Sequence, residues 1–174
     1  KVIAEIDPDI ILLQEVEDRG SLEDFNEEFL PEMGCSPFDE IFVVQGNDYR
    51  GQEMAIMTKR GFKLRSIQTH VHDRNRHGNP LFNKDLLVYE VKTPSGTTCH
   101  LISAFFQERW SNMDSTDLIR KDQAIRTAEV YQGLQEDGKS NIAIAGTLND
   151  VSYSDCLSPL LRGTDLRDIT KHPS

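Results

Sequence analysis

Glu15 and the pair Asn149-Asp150 are the residues of this sequence whose types and settings suit chemistry on a charged substrate. Glu15 follows the aliphatic run Ile10-Ile11-Leu12-Leu13, with Gln14 between. A continuous apolar run bounded by the turn signal Asp7-Pro8 reads as a strand buried on both faces, so the carboxylate stands where that strand leaves the core. Open sheets place their sites at such strand ends. Hard cations such as Mg2+ take oxygen ligands and keep several waters, so one carboxylate can anchor one there. Asn149 and Asp150 follow a second apolar run, Asn141 to Ala145, which delivers Gly146. Glycine allows close backbone approach, and an asparagine side chain offers a donor and an acceptor to a phosphate or a water. Taken singly, each segment is equally well explained by a strand that ends in a solvated polar turn.

Other candidates are more ambiguous. His70, His72 and His77 lie near Asp73, and His70 and His72 share a face if that segment is a strand. Such a set can bind a transition metal, although a solvated loop explains it more simply. Cys35, Cys99 and Cys156 match no zinc spacing and read as reduced thiols in packing roles, consistent with a cytoplasmic setting. Trp110 follows Gln107-Glu108-Arg109 in a segment read as a loop, where packing is the expected role. The acidic stretch Glu17 to Glu32 reads as a solvated helix face, with a partner surface as the alternative.

Composition limits the partners. The formal net charge is −10 over 174 residues, with 37% hydrophobic and 28% charged side chains. Binding to nucleic acid depends on neutralising phosphates with Lys and Arg, so this charge counts against high-affinity nucleic-acid binding, though not against a phosphate met through a metal ion. No apolar stretch approaches the roughly 20 residues of a membrane span. The length suits a single domain over residues 1–174.

The elements that must position these residues follow from periodicity and turn chemistry. A helix end over Val2 to Ile6 stops before Pro8. The Ile10–Leu13 strand follows, then a short acidic helix over Ser21 to Leu30. Strands are expected at Glu40–Val44 and Glu53–Thr58, joined by the turn-rich Gly46 to Gly51, and at Lys63–Val71. Asp73 to Pro80 reads as an exposed loop. Lys84–Lys92 and Thr98–Phe105 form a hairpin across Thr93 to Gly96. A long helix spans Asp114 to Gln135, with Leu118, Ile125, Ala128, Tyr131 and Leu134 on its apolar face, Ser115 near its start and Gly138 past its end. Asn141–Ala145 is a short buried strand, and Asp155–Leu161 a last short helix. This order suits a layered α/β or α+β sandwich better than a regular doubly wound sheet.

The two leading segments, taken together, resemble the endonuclease/exonuclease/phosphatase superfamily. Pro8-Asp9-Ile10-Ile11-Leu12-Leu13-Gln14-Glu15 resembles its first signature, and Gly146-Thr147-Leu148-Asn149-Asp150 its late Gly-Asp-Phe-Asn-Asp signature. Between them, Asp48 to Met57 is similar to the segment entering a strand in relatives with an Arg-Gly pair, here Arg50-Gly51. Phe82 to Leu87 resembles the strand start where many members carry Arg-Asp, here Lys84-Asp85. Leu101 to Phe105 falls where the family has an Asn-His pair, here read as Ser103-Ala104.

The resemblance implies a four-layer α-β-β-α sandwich and hydrolysis of a phosphoester with Mg2+ or Mn2+. It implies a metal ligand in Glu15, a water- and phosphate-orienting group in Asn149, a neighbouring carboxylate in Asp150, and substrate contacts from Lys84 and Arg50. It also implies a further strand before Lys1 and a C-terminal segment after Ser174. Thr147 stands where the family carries its key aspartate, and a hydroxyl is no base near neutral pH. Ala104 stands where a phosphate-stabilising histidine is expected, and Lys84 keeps a charge while losing the bidentate fork of arginine. Removing a positioned acid or base typically lowers rate by about 10²–10⁴. The resulting expectation is a phosphoesterase-like domain with lost or reduced catalysis. The alternatives are an active, divergent metal-dependent nuclease or phosphodiesterase, and a non-catalytic interaction domain.

Overall fold

The computed structural model describes residues 2–109 and 114–169. Trp110 lies outside the described residues, and the side chain of Ser115 is likewise outside them. Helix α1 (Val2–Ile6) leads into strand β1 (Ile10–Val16). A helical segment follows as α2 (Arg19–Asp24), a π-helical stretch (Phe25–Phe29) and α3 (Leu30–Glu32). Strands β2 (Glu40–Val44), β3 (Glu53–Thr58), β4 (Lys63–Thr69), β5 (Leu86–Lys92) and β6 (Thr98–Phe105) come next. The long helix α4 (Asp114–Glu136) then carries the chain to β7 (Ile142–Thr147), and α5 (Ser158–Leu161) is the last of these elements.

The strands form two sheets, one ordered β1-β3-β2 and the other β4-β5-β6-β7. All pairings are antiparallel except β6 with β7, which run parallel because α4 crosses between them. Alternation along each strand sorts side chains into three apolar layers. Ile10 and Leu12 of β1 pack with Met54, Ile56, Leu87, Tyr89 and Val91 between the sheets. Ile11 and Leu13 turn the other way, onto Leu22, Leu30 and Phe38 beneath the N-terminal helices. Leu86, Val88, Ile102 and Ala104 face Ala124, Ala128, Tyr131 and Leu134 of α4. The result is the expected four-layer α-β-β-α sandwich, and it explains why β1 is apolar at consecutive positions: both of its faces are covered.

Several local expectations shift. β4 stops at Thr69, so His70 and His72 leave the strand; His70 is buried and His72 exposed. β5 begins at Leu86, after Lys84. The buried stripe of α4 runs through Arg120, Gln123 and Thr127 as well as its apolar residues, while Leu118 is 49% and Ile125 40% exposed. Arg120 and Gln123, bonded to neighbouring loops, and Thr127, bonded to the Gln123 carbonyl within α4, take the inner face in place of those two. Among the described residues no helix is long and apolar enough to cross a membrane.

Candidate active site

The ends of β1, β6 and β7 converge at one corner of the sandwich, and Gln14 ties them together. Its Nε2 donates to the Ala104 carbonyl oxygen at 2.7 Å, spanning from one sheet to the other. Gly146, paired with Ala104, is the third member: a Cβ on it would run into that same carbonyl and stand 2.6 Å from Gln14 Nε2, at a φ of +141°. The close backbone approach expected of this glycine is therefore what lets β1 meet the β6–β7 pair.

Glu15 sits one residue beyond Gln14 as the extra residue of a β-bulge, since Gln14 pairs with Met54 and Val16 with Glu53. Its φ is +62°, a left-handed conformation that favours glycine and is rare for glutamate. The bulge aims the carboxylate out of the strand's alternation, leaving it 43% exposed. Asn149 is also left-handed, at φ +51°, a state asparagine tolerates better. Its Nδ2 donates to the Phe106 carbonyl oxygen at 2.8 Å, while Phe106 N–H donates to the Thr147 carbonyl at 2.9 Å. Two of the site's candidate residues thus hold strained backbone at strand ends, a pattern that clusters at functional sites.

The alternation of β6 corrects the placement of Ala104. Its methyl group is fully buried on the α4 side, and what it brings to the corner is its carbonyl oxygen. Phe105, paired in register with Thr147, takes the face towards the corner, and its ring centroid lies 4.8 Å from Lys84 Nζ. Phe105 is missed in the sequence because the Asn-His position is set at Ser103-Ala104, one residue early on a strand whose bounds, Thr98–Phe105, are as expected; the period-two pattern Leu101, Ser103, Phe105 is the signal that locates it. Ser103 is fully buried, with a hydroxyl that has no partner among the described residues, so it presents nothing at the surface. Thr147 is exposed.

Asp150 and Lys84 are placed differently from expectation. The Asp150 side chain is 1% exposed and accepts from Arg120 Nε at 3.1 Å, with Arg109 Nη1 4.0 Å away. Burial pushes its carboxyl up, but the Val151 N–H and the Arg120 guanidinium outweigh that and hold it below the usual carboxylate range. It is the buried partner of α4, not a carboxylate turned towards the corner.

Lys84 is fully buried rather than open to substrate. Its ammonium donates to Asp48 Oδ2 at 2.8 Å and Gln52 Oε1 at 3.3 Å, and lies 3.8 Å from Glu15 Oε1. Asp48 also receives Arg50, through Nε at 3.2 Å and Nη2 at 3.1 Å, and caps the Arg50 N–H at 2.9 Å. Burial raises the Asp48 carboxyl, but these hydrogen bonds from Arg50 and then Lys84 prevail and hold it far below the usual range. Arg50 keeps 42% of its side chain exposed at the rim.

The histidine group does not form a metal site. His70 Nδ1 lies 3.3 Å from Asp73 Oδ2, but the Arg126 guanidinium occupies the same carboxylate at 2.6 Å. Burial, reinforced by Arg126 against the pull of Asp73, lowers the His70 pKa. Among the described residues no three His, Cys, Asp or Glu side chains are grouped to hold an ion. At Glu15, one half-exposed carboxylate 3.8 Å from a buried ammonium is a poor fit for Mg2+ or Mn2+, because the ammonium already supplies a positive charge beside it.

The chain is similar in structure to known proteins at low sequence identity. It superposes on the human Nocturnin catalytic domain with a TM-score of 0.67 and 14% identity, covering 90% of this chain and 57% of that one. TDP2 from Caenorhabditis elegans gives 0.61 and 15%, over 86% of this chain and 40% of that one. ANGEL2, described as a 2′,3′-cyclic phosphatase, gives 0.62 and 20%, over 93% and 46%. These are endonuclease/exonuclease/phosphatase-superfamily proteins, and the chain has their fold. It spans roughly half the length of each, between 40% and 57%. No protein-family model and no curated protein sequence matches it.

Proposed function

We propose that this chain is a phosphoesterase-type domain that no longer cleaves phosphoesters, and that the corner at the ends of β1, β6 and β7 still binds a phosphoester ligand. The observation that carries the reading is which residues stand at the ends of β1, β6 and β7: Glu15, Phe105, Thr147 and Asn149. Glu15 is the one carboxylate of that set, and neither Phe105 nor Thr147 can move a proton near neutral pH. Asp150, the nearest substitute for a missing base, is held by Arg120. Losing a general acid or base removes about 10²–10⁴ in rate, and losses within one unit do not simply add. Arg50 and Asn149 are the residues we assign to the ligand, through an exposed guanidinium and an amide at the strand end.

The substrate class is suggested by the neighbours. ANGEL2 was solved with adenosine-2′,3′-vanadate and a Danio rerio TDP2 with a single-strand DNA product. The net charge of −10 favours a small phosphoester over a long nucleic acid. Three free cysteines support a reducing, cytoplasmic setting.

The test is an assay of the full-length protein with Mg2+ and with Mn2+ against a chromogenic phosphodiester and single-stranded DNA. No turnover that depends on Glu15 is expected. Turnover abolished by Glu15→Ala would overturn the reading in favour of an active, divergent enzyme. Calorimetric binding of p-nitrophenyl phosphate, weakened at least tenfold by Arg50→Ala, is expected at the corner; absence of binding at millimolar ligand favours a purely interacting domain.

A further inference from the structure

Lys84 has no part in that reading, yet its surroundings are the most specific in the corner. A lysine side chain with no exposed surface is uncommon unless its charge is matched. Around its Nζ stand Asp48 Oδ2 at 2.8 Å, Gln52 Oε1 at 3.3 Å and Glu15 Oε1 at 3.8 Å. Two carboxylates and an amide oxygen gathered round one point are the donor set of a hard cation. The face of Phe105, 4.8 Å away, closes the fourth side. An aromatic face suits an ammonium and gives a divalent ion no ligand.

We propose that the Lys84 ammonium is a tethered cation that replaces a divalent metal beside Glu15, so that the site is charge-balanced without one. The proposal rests on the reading of Glu15 as the carboxylate of the site. Glu15 and Asp48 supply two negative charges, and Lys84 and Arg50 two positive ones, which leaves no net charge for Mg2+ to neutralise. The ammonium is also held from its backbone. The Lys84 carbonyl accepts from Asn47 N–H at 2.8 Å, and Gly46 packs so closely on the Lys84 backbone that a Cβ there would collide with it. Asn47 Nδ2 in turn donates to Val71 O at 2.9 Å and Phe82 O at 3.1 Å, fixing the loops on both sides. An ordinary buried ion pair would need Asp48 alone; here Asp48 already has a two-pronged partner in Arg50, and the ammonium lies between it and a carboxylate that the bulge of β1 has turned outward.

Titration calorimetry with MgCl2 and MnCl2 tests this. The wild-type protein is expected to show no Glu15-dependent binding at millimolar metal. Lys84→Met is expected to gain binding at least tenfold tighter than that limit, and Glu15→Gln in the Lys84→Met background to remove it. Metal binding by the wild type that Glu15→Gln abolishes, or a folded Lys84→Met as silent as the wild type, overturns the proposal. Should Lys84→Met fail to fold, the wild type decides alone. Mn2+ that leaves the Gln14 and Glu15 amide signals and the Lys84 ammonium signal sharp supports the tethered cation; paramagnetic broadening of them overturns it. Wild-type metal binding without turnover refutes this inference and leaves the functional proposal standing. Turnover that requires Glu15 without bound metal does the reverse.

Discussion

The backbone at Glu15 makes a prediction that separates function from stability. An L-residue in the left-handed region costs about 1–2 kcal/mol relative to its preferred conformations, and glycine escapes that cost. Glycine gives back about 0.5–1 kcal/mol of that advantage through the greater freedom of its unfolded chain. At φ +62° the balance favours glycine over alanine by about 0.5–1 kcal/mol. Glu15→Gly and Glu15→Ala both lose the 3.8 Å contact with Lys84, so that loss cancels in the comparison. Because Glu15 is 43% exposed, the contact is itself worth no more than about 0–1 kcal/mol. Urea denaturation followed by circular dichroism should therefore rank Glu15→Gly above Glu15→Ala, with a melting temperature about 1–4 °C higher. If alanine is as stable as glycine, the bulge relaxes freely and the argument from strain is wrong. The ranking matters because a glutamate kept where glycine is more stable is a side chain kept for something other than folding.

Other perturbations probe the supports of the corner. Arg120→Met leaves Asp150 buried without its partner and should cost about 3–5 kcal/mol, whereas Arg120→Met with Asp150→Asn should recover part of it; a double-mutant cycle by denaturation measures the coupling. Gly146→Ala should break the Gln14–Ala104 bond and cost at least about 2 kcal/mol, read as faster hydrogen exchange of the Phe106 amide, which is bonded to Thr147. Asp48 has a depressed folded pKa, so its contribution is complete above the ordinary carboxylate value of about 3.9 and is lost as pH falls below it; Asp48→Asn should flatten the acid limb of stability in that window. His70 is likewise depressed, so stability should begin to fall as pH drops through about 6.5, and His70→Gln should remove that first step.

The layers were legible in the sequence because they depend on patterns that burial enforces. The unbroken run Ile10 to Leu13 signals a strand covered on both faces, and both faces are covered. The hairpin across Thr93 to Gly96 forms with Lys92 opposite Thr98. Boundaries and faces were less legible where polar groups make the decision. Arg120 and Gln123 take the inner face of α4 because loops supply partners: Gln123 receives Gln107 N–H at 2.8 Å and donates to Leu81 O at 2.9 Å. No apolar period records such bonds. A charge at the end of a strand likewise does not reveal whether it points to solvent, and Lys84 does not.

The same limit applies to which residue of β6 faces the corner: Ala104 packs on the α4 side and Phe105 lies against Lys84, which changes the chemistry. With Ala104 at the corner, a missing histidine would leave an empty place beside Glu15. With Phe105 there, the place is filled by a ring lying against a buried ammonium. An empty place could admit a water or an ion and be repaired by a single substitution. A filled, charge-matched place cannot, since Lys84, Asp48 and Arg50 support one another and removing any one exposes an unpaired charge. Restoring a proton-transfer group through Phe105→His with Thr147→Asp should thus yield no Glu15-dependent turnover while Lys84 remains. Adding Lys84→Gln to that pair should be what allows metal-dependent turnover to appear; turnover from the first two substitutions alone would show that the ammonium does not guard the site.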